Sequence, residues 1–420
     1  MKKPRSKKPI LFLVLFVLLA AGLTTVVFLV QRSSENRSSA AGNRDVFLNF
    51  GRSSRVDNDR RENSNSQPSQ APVATTGVPA ELAGKKAYLQ NELQKEIQWG
   101  YAHNQRANGV IAMNGTQENG WISPYMSLYF VKNALIADPS TAAKAKKYLQ
   151  WHIAHLNRTP DPDGLVGTMF EYNIKGNTEV PSYKLDSKAK MYDSTDSFVA
   201  LFLTAMRTYA EISGDKQFVL DNKPAIDLTF SVYQNTWENG LTWGTKTWRH
   251  QYAMDNFEVN TSLGDLAYIY RYVYSDPAKA NEIETLQRQN RAAIESNTFD
   301  NGVYIVSKQT STPYSWSTYY PDALVPQIGL ITGYINPNSN KAENLVSQFE
   351  RNHPDWINAK KNEFPMAFAA HGMALRGRYQ GVLAYHSSLR QAYPNRTWTY
   401  HIGESAFVIG YLNELISKAN

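Results

Sequence analysis

The sequence predicts an all-α fold, an (α/α)6 barrel of helical hairpins with short β decorations, and two patterns carry that reading. From about residue 83 onward, charged amphipathic stretches alternate with stretches apolar nearly all round. The first kind shows apolar residues at three- and four-residue spacing, the signature of a helix with one buried face. The second kind has no polar face to give to water and must be buried on every side. Paired outer and inner helices repeated about six times close into a barrel. An open superhelix of hairpins is the competing arrangement, but the repeats are too unlike in sequence and spacing for a consensus solenoid.

Taken in order, GKKAYLQNELQKEIQWGYAHNQ is an outer helix and ISPYMSLYFVKNALI an inner one. STAAKAKKYLQWHIAHLN returns outside, and SFVALFLTAMRTYAEI goes in again. MDNFEVNTSLGDLAYIY, YYPDALVPQIGLITGY, MAFAAHGMALRGRY and HIGESAFVIGYLNEL read as inner segments, with DPAKANEIETLQRQNRAAIE and NKAENLVSQFERN outside them. ADPS, ISGDKQ, SDPAK, INPNSN and AYPNRT stop the helices with Gly, Pro, Asn and Asp. GLTWG and NGVYIV read as short strands in the connecting loops.

Before the barrel, residues 1–9 form a basic tail and residues 10–30 an uncharged apolar stretch long enough to cross a bilayer. That stretch exceeds the apolar core of a cleavable signal peptide, so it is expected to stay as an anchor. The flanking cations would remain cytoplasmic and place the rest outside the cell membrane. Residues 31–82, rich in Ser, Asn, Arg, Gln, Pro and Ala, read as a flexible linker. The barrel is expected over residues 83–420. The absence of cysteine rules out a disulfide framework.

Of the net charge of +7, Lys2, Lys3, Arg5, Lys7 and Lys8 supply most. From residue 83 on there are 32 basic and 31 acidic residues. A near-neutral folded part carries no nucleic-acid footprint. GxGxxG and Walker patterns are absent, so no nucleotide cofactor is indicated. No His and Cys spacing points to zinc. Asp161, Asp163 and Glu171 in TPDPDGLVGTMFE contain oxygen ligands of the kind calcium takes, but DPDG is an ordinary turn; no metal or other cofactor is expected.

The chemistry sits at the starts of the inner helices, where carboxylates recur: Asp193 and Asp196, Asp255 and Glu258, Asp322, and Glu404. Parallel inner helices put those starts at one end, where their dipoles favour negative groups. Aromatic residues crowd the same places, among them Trp121, Tyr125, Tyr192, Trp243, Trp248, Trp316, Tyr319, Tyr320 and Tyr400. Aromatic faces pack on pyranose rings, while Asp, Glu and His bind hydroxyl groups. Asp193, Trp121, Tyr125, Tyr192, Trp248, Asp255, Glu258, Trp316, Tyr319, His401 and Glu404 are therefore candidate sugar-binding residues. An N-cap is the plain alternative for Asp193 and Asp322, and His371 in FAAHGMAL reads as a core histidine. Glycoside hydrolysis needs one protonated and one ionised carboxyl, and Glu118, Asp322 and Asp196 are the candidate catalytic set.

QENGWISPYM, DSTDSFVALFL and YYPDALVP together resemble segments of the six-hairpin glycosidases, most nearly the family 8 glycoside hydrolases. The resemblance spans about residues 84–420. It implies a general acid at Glu118, a substrate-binding acid at Asp196 and a base at Asp322, with inversion and endo cleavage. Glu404 could replace Glu118 or Asp322. The expected function is a membrane-anchored extracellular glycoside hydrolase with a polysaccharide substrate. One alternative is a glycan-binding or export protein on the same barrel. Another is a polysaccharide lyase recruiting Arg249, His250, Tyr252 and Arg376.

Overall fold

The computed structural model of the protein describes residues 78–186, 189–310, 312–359 and 364–419. The basic tail, the expected anchor at 10–30 and nearly all of the linker lie outside them. Among the described residues no helix is long and apolar enough to cross a membrane. Ala80–Leu82 form a 3-10 turn with Leu82 buried, so ordered packing starts slightly ahead of residue 83.

Six helical hairpins follow among the described residues. The outer helices are α1 (Lys86–Asn104), α3 (Ala142–His155), α5 (Lys223–Thr236), α7 (Pro277–Thr298), α9 (Asn340–Asn352) and α11 (Tyr379–Ala392). The inner helices are α2 (Pro124–Ala137), α4 (Thr195–Ser213), α6 (Ala253–Tyr272), α8 (Val325–Ile331), α10 (Ala367–Leu375) and α12 (Ile402–Lys418). Composition decides the layer. In α9 only Ala342, Leu345, Val346 and Phe349 are buried, one stripe at helical spacing. In α4 every residue from Thr195 to Met206 is buried, and in α12 every residue from Ile402 to Leu412.

Each inner helix packs on the next, α2 on α4, then α6, α8, α10 and α12, and α12 packs back on α1 and α2. The ring is closed, which excludes the open superhelix. Gly410 of α12 lies against the His371 ring of α10, where any Cβ would collide with the imidazole. The seam between first and last hairpins holds a buried ionic cluster. Glu96 of α1 pairs with Arg390 at 2.9 Å and Arg396 at 2.6 Å. It also accepts hydrogen bonds from Tyr400 Oη at 2.6 Å and Ser405 Oγ at 2.9 Å.

The connections are unequal. Those entering inner helices are long: 105–123, 156–194, 237–252, 299–324, 353–366 and 393–401. Those leaving them are short: 138–141, 214–222, 273–276, 332–339 and 376–378. All long loops and all inner N-termini therefore share one end. The short strands are in those loops. β1 (Trp121–Ile122), β2 (Tyr172–Lys175) and β3 (Thr178–Pro181) form one antiparallel sheet. β4 (Trp237–Glu238) pairs with β5 (Leu241–Thr242), and β6 (Phe299–Asp300) with β7 (Val303–Tyr304). GLTWG and NGVYIV thus supply β5 and β7.

Candidate active site

The first turns of α4 and α6 bring Asp196, Asp255 and Glu258 together under the long loops. Ser194 is the N-cap residue of α4, yet its side chain makes no capping bond. Its hydroxyl lies 2.6 Å from Asp196 Oδ1 and 2.7 Å from Asp255 Oδ2. A serine has one hydroxyl proton, so it donates to one of the two carboxyls at a time. Asp196 also accepts from Thr242 Oγ1 at 2.6 Å and from the Ser197 amide at 3.0 Å. Burial pushes its carboxyl up to about 6 against those hydrogen bonds. Glu258 accepts from Tyr129 Oη at 2.5 Å and Tyr125 Oη at 2.8 Å, both on α2. Burial raises it to about 7 although the tyrosines favour its charged form.

A second pair forms where the loop before α2 meets the loop before α4. The β1–β2 pairing sets Trp121 opposite Asn173, which lets Trp121 Nε1 donate to Glu171 Oε2 at 3.1 Å. Burial, and then the nearby Asp193 carboxyl, push Glu171 up to about 8, outweighing hydrogen bonds from Trp121 and Ser123. Glu171 thus holds its proton more tightly than a free carboxyl does, and it is not sealed from solvent. Asp193 is 3.6 Å from Lys190. It precedes the N-cap position, so capping does not account for it.

The remaining expected residues occupy varied positions. Tyr192 is buried, donates to Asp163 Oδ2 at 2.9 Å and stacks on Phe170. Asp161 takes the Asp163 and Leu165 amides and the Thr168 hydroxyl, closing the DPDG turn. Trp248 is 58% exposed and lies on His250, which stacks in turn on Tyr252. Asp322 opens a 3-10 turn, Asp322–Leu324, before α8. It borders a cavity of about 530 Å³ shared with Tyr314, Trp316 and Ser307, and burial raises its carboxyl. The Trp316 carbonyl and the Tyr319 ring both contact His353.

Four of the expected residues have settings of their own. Glu118 is not in a dry setting: its side chain is 54% exposed, takes the Gly176 amide at 2.8 Å and lies 3.6 Å from Lys175. Glu404 is no free rival either, because its two oxygens take the Met366 and Ala367 amides at 3.2 and 2.7 Å, capping α10 in trans. His401 caps α12, its Nδ1 taking the Gly403 and Glu404 amides. Asp196 has no exposed surface. His371 is the core histidine expected: burial drives it down to about 3, so it is neutral. The reading from sequence missed Glu171 as an acid; its only local signal is alternation in MFEYNIK, and its partner Trp121 lies 50 positions away.

By sequence the chain matches no described protein family and no curated protein. Its fold is shared with solved structures at low identity. A glycosidase matches with a TM-score of 0.56 at 12% identity over 80% of this chain and 98% of that one. A D-mannose isomerase matches with 0.50 at 11% over 81% and 99%. A sugar epimerase from a ruminal bacterium matches with 0.50 at 11% over 78% and 98%. The likeness establishes the fold, an all-helical six-hairpin barrel.

Proposed function

We propose that the protein is a glycoside hydrolase acting on a polysaccharide, with Glu171 as its general acid. The observation that carries this is Glu171, held by Trp121 Nε1 at 3.1 Å and lying in the field of the Asp193 carboxyl at the loop-rich end of a closed barrel. Glu171 donates its proton to the glycosidic oxygen as the bond to the anomeric carbon breaks. Asp193, whose charge acts on Glu171, takes a proton from the attacking water, which adds to the anomeric carbon. One carboxyl that gives a proton and one that takes it are what such a reaction needs. The buried Asp196, Asp255 and Glu258 hold Ser194, Thr242 and Tyr125 in place beneath them.

The glycosidase among the similar folds, one variant of which was solved in complex with glucose, supports this reading. An isomerase and an epimerase share the fold, so fold alone does not choose. Neither His371, within an inner helix, nor His401, before one, is placed to move a proton at carbon. His371 is sealed and neutral, and the His401 ring is occupied as a cap. The lyase reading also loses support: Arg249 lies over the Trp243 ring at 4.1 Å. Arg376 pairs with Glu343 in a short connection at the other end.

The finer features extend the same proposal. Resemblance to family 8 implies inversion and endo cleavage, and the anomer first formed, read by NMR, decides the former. Carboxyls roughly 6.5–9.5 Å apart belong to inversion and about 5–5.5 Å to retention. Residues 10–30 would anchor the barrel at the outer face of the cell membrane, which fractionation and external protease treatment test. The central test is release of new reducing ends from soluble polysaccharides by the wild-type chain and by Glu171→Gln. Full activity in the variant removes Glu171 from the mechanism.

A further inference from the structure

The loop entering α12 shows a feature that neither the acids nor the core require. Trp398 is 47% exposed, yet the turn that carries it is pinned on both sides. Arg396 is tied to buried Glu96 by its guanidinium, and Tyr400 by its hydroxyl. The side chain of Asn114 donates to the carbonyls of both Arg396 and Tyr400, at 2.9 and 2.5 Å. Tyr393 and Thr399 hydroxyls are 3.0 Å apart across the same turn. The turn is tied down at several points while the indole keeps an apolar face toward solvent.

Three rings surround it. Phe364 meets Trp398 edge-on at 5.8 Å, Trp121 does so at 6.5 Å, and His401 lies tilted at 6.0 Å. Trp121 is also the donor to Glu171, so this aromatic corner is continuous with the acid. The charged groups beside the acid are Asp193 and Lys190, 3.6 Å apart.

We propose that Trp398, with Phe364 beside it, is a binding subsite for a non-reacting pyranose unit of the substrate chain. The proposal rests on the glycan-processing reading above and adds where the chain lies: along the seam between the first, fifth and sixth hairpins, next to Glu171. The apolar C–H face of the pyranose covers the indole, whose face carries the negative end of its quadrupole. Its rim hydroxyls stay in water. The pinned turn removes the ordering cost that a mobile loop would add on binding.

The test is tryptophan-emission titration and calorimetry with linear hexasaccharides of glucose, of mannose and of glucosamine. The full chain, Trp398→Ala, Trp398→Phe and Phe364→Ala are compared, with thermal melts to confirm folding. The expected result is binding of at least one hexasaccharide by the wild type, weakened at least about tenfold in Trp398→Ala, or ~1.4 kcal/mol. Trp398→Phe, which keeps a ring, should recover most of that loss, and Phe364→Ala should weaken binding less than Trp398→Ala. Unchanged affinity in a folded Trp398→Ala overturns the subsite, as does failure of the wild type to bind any of the three. New reducing ends are measured on the same samples. Trp398-dependent binding without cleavage leaves the subsite standing and removes the hydrolase. Cleavage with affinity untouched by Trp398→Ala does the reverse.

Discussion

Glu96 lies in the buried seam of the barrel and Glu171 in a loop at its open end, and their surroundings drive the two carboxyls in opposite directions. Around Glu96, burial works to raise its proton affinity, but Arg390 and Arg396 overcome it and hold the group charged. Around Glu171, burial acts with the Asp193 charge, and the proton stays on. Burial alone does not decide whether a buried acid is mortar or reagent; the sign of its nearest charged neighbour does. The acids of this protein divide accordingly. Glu92, hydrogen-bonded to His386 and held down to about 2, stands with Glu96 at the seam. Asp196 and Glu258 are raised as Glu171 is, chiefly by burial, but they hold neighbouring side chains in place.

The sharpest way to break this division is Glu171→Gln. It should lower kcat by about 10²–10⁴-fold without lowering the thermal midpoint, as read by reducing-end release and calorimetry. Glu96→Gln should do the opposite. Removing one partner of a buried ionic cluster leaves uncompensated charge, a loss of about 3–5 kcal/mol, to be read by denaturant unfolding.

A pH series tests both groups at once. Asp196, Glu258 and Glu171 have folded values of about 6, 7 and 8, above their ordinary 3.8, 4.5 and 4.5. The native state therefore binds protons that the unfolded chain has released, and this stability, complete at low pH, fades as pH rises through 6 to 8. Glu92 and Glu96 are lowered, so their contribution is present above about 4.5 and is lost on acidification. The melting temperature should peak at mildly acidic pH, and Glu258→Gln should flatten only the alkaline side. Activity should fall on a limb near pH 8 as Glu171 loses its proton. The smallest effect belongs to Glu118→Gln, which should change kcat less than about twofold, since an exposed side chain paired with lysine contributes little. A large loss there would restore Glu118 as the acid.

Much of this was legible in the sequence, and the residues show why. All-round apolar runs such as SFVALFLTAM can only be inner helices, so the ring and its loop-rich end follow from periodicity. Asp196, Asp255 and Glu258 were found because helix starts are local features. Their roles were not legible, because Ser194 reads as a cap until Asp255, 61 positions away, is set against it. Glu171 and Trp398 were missed for the same reason. One depends on a strand pairing between distant loops, the other on a turn fixed by a glutamate at the far end of the chain. Glu404 misled because a carboxylate at a helix start can serve a different helix from its own.

The Glu96 cluster has a consequence in time. Glu96 meets Tyr400 and Ser405 across 304 and 309 positions of chain, so this contact is among the last that a growing polypeptide can make. Until α11 and α12 arrive, α1 and α2 have no neighbour on one side, and the turn that presents Trp398 has nothing to fasten it. An emerging chain carries Glu171, Asp193 and Asp196 early but holds them in an unsealed arc. Completion of the ring is thus a late, single event, and whatever the site does begins only after the final hairpin has docked.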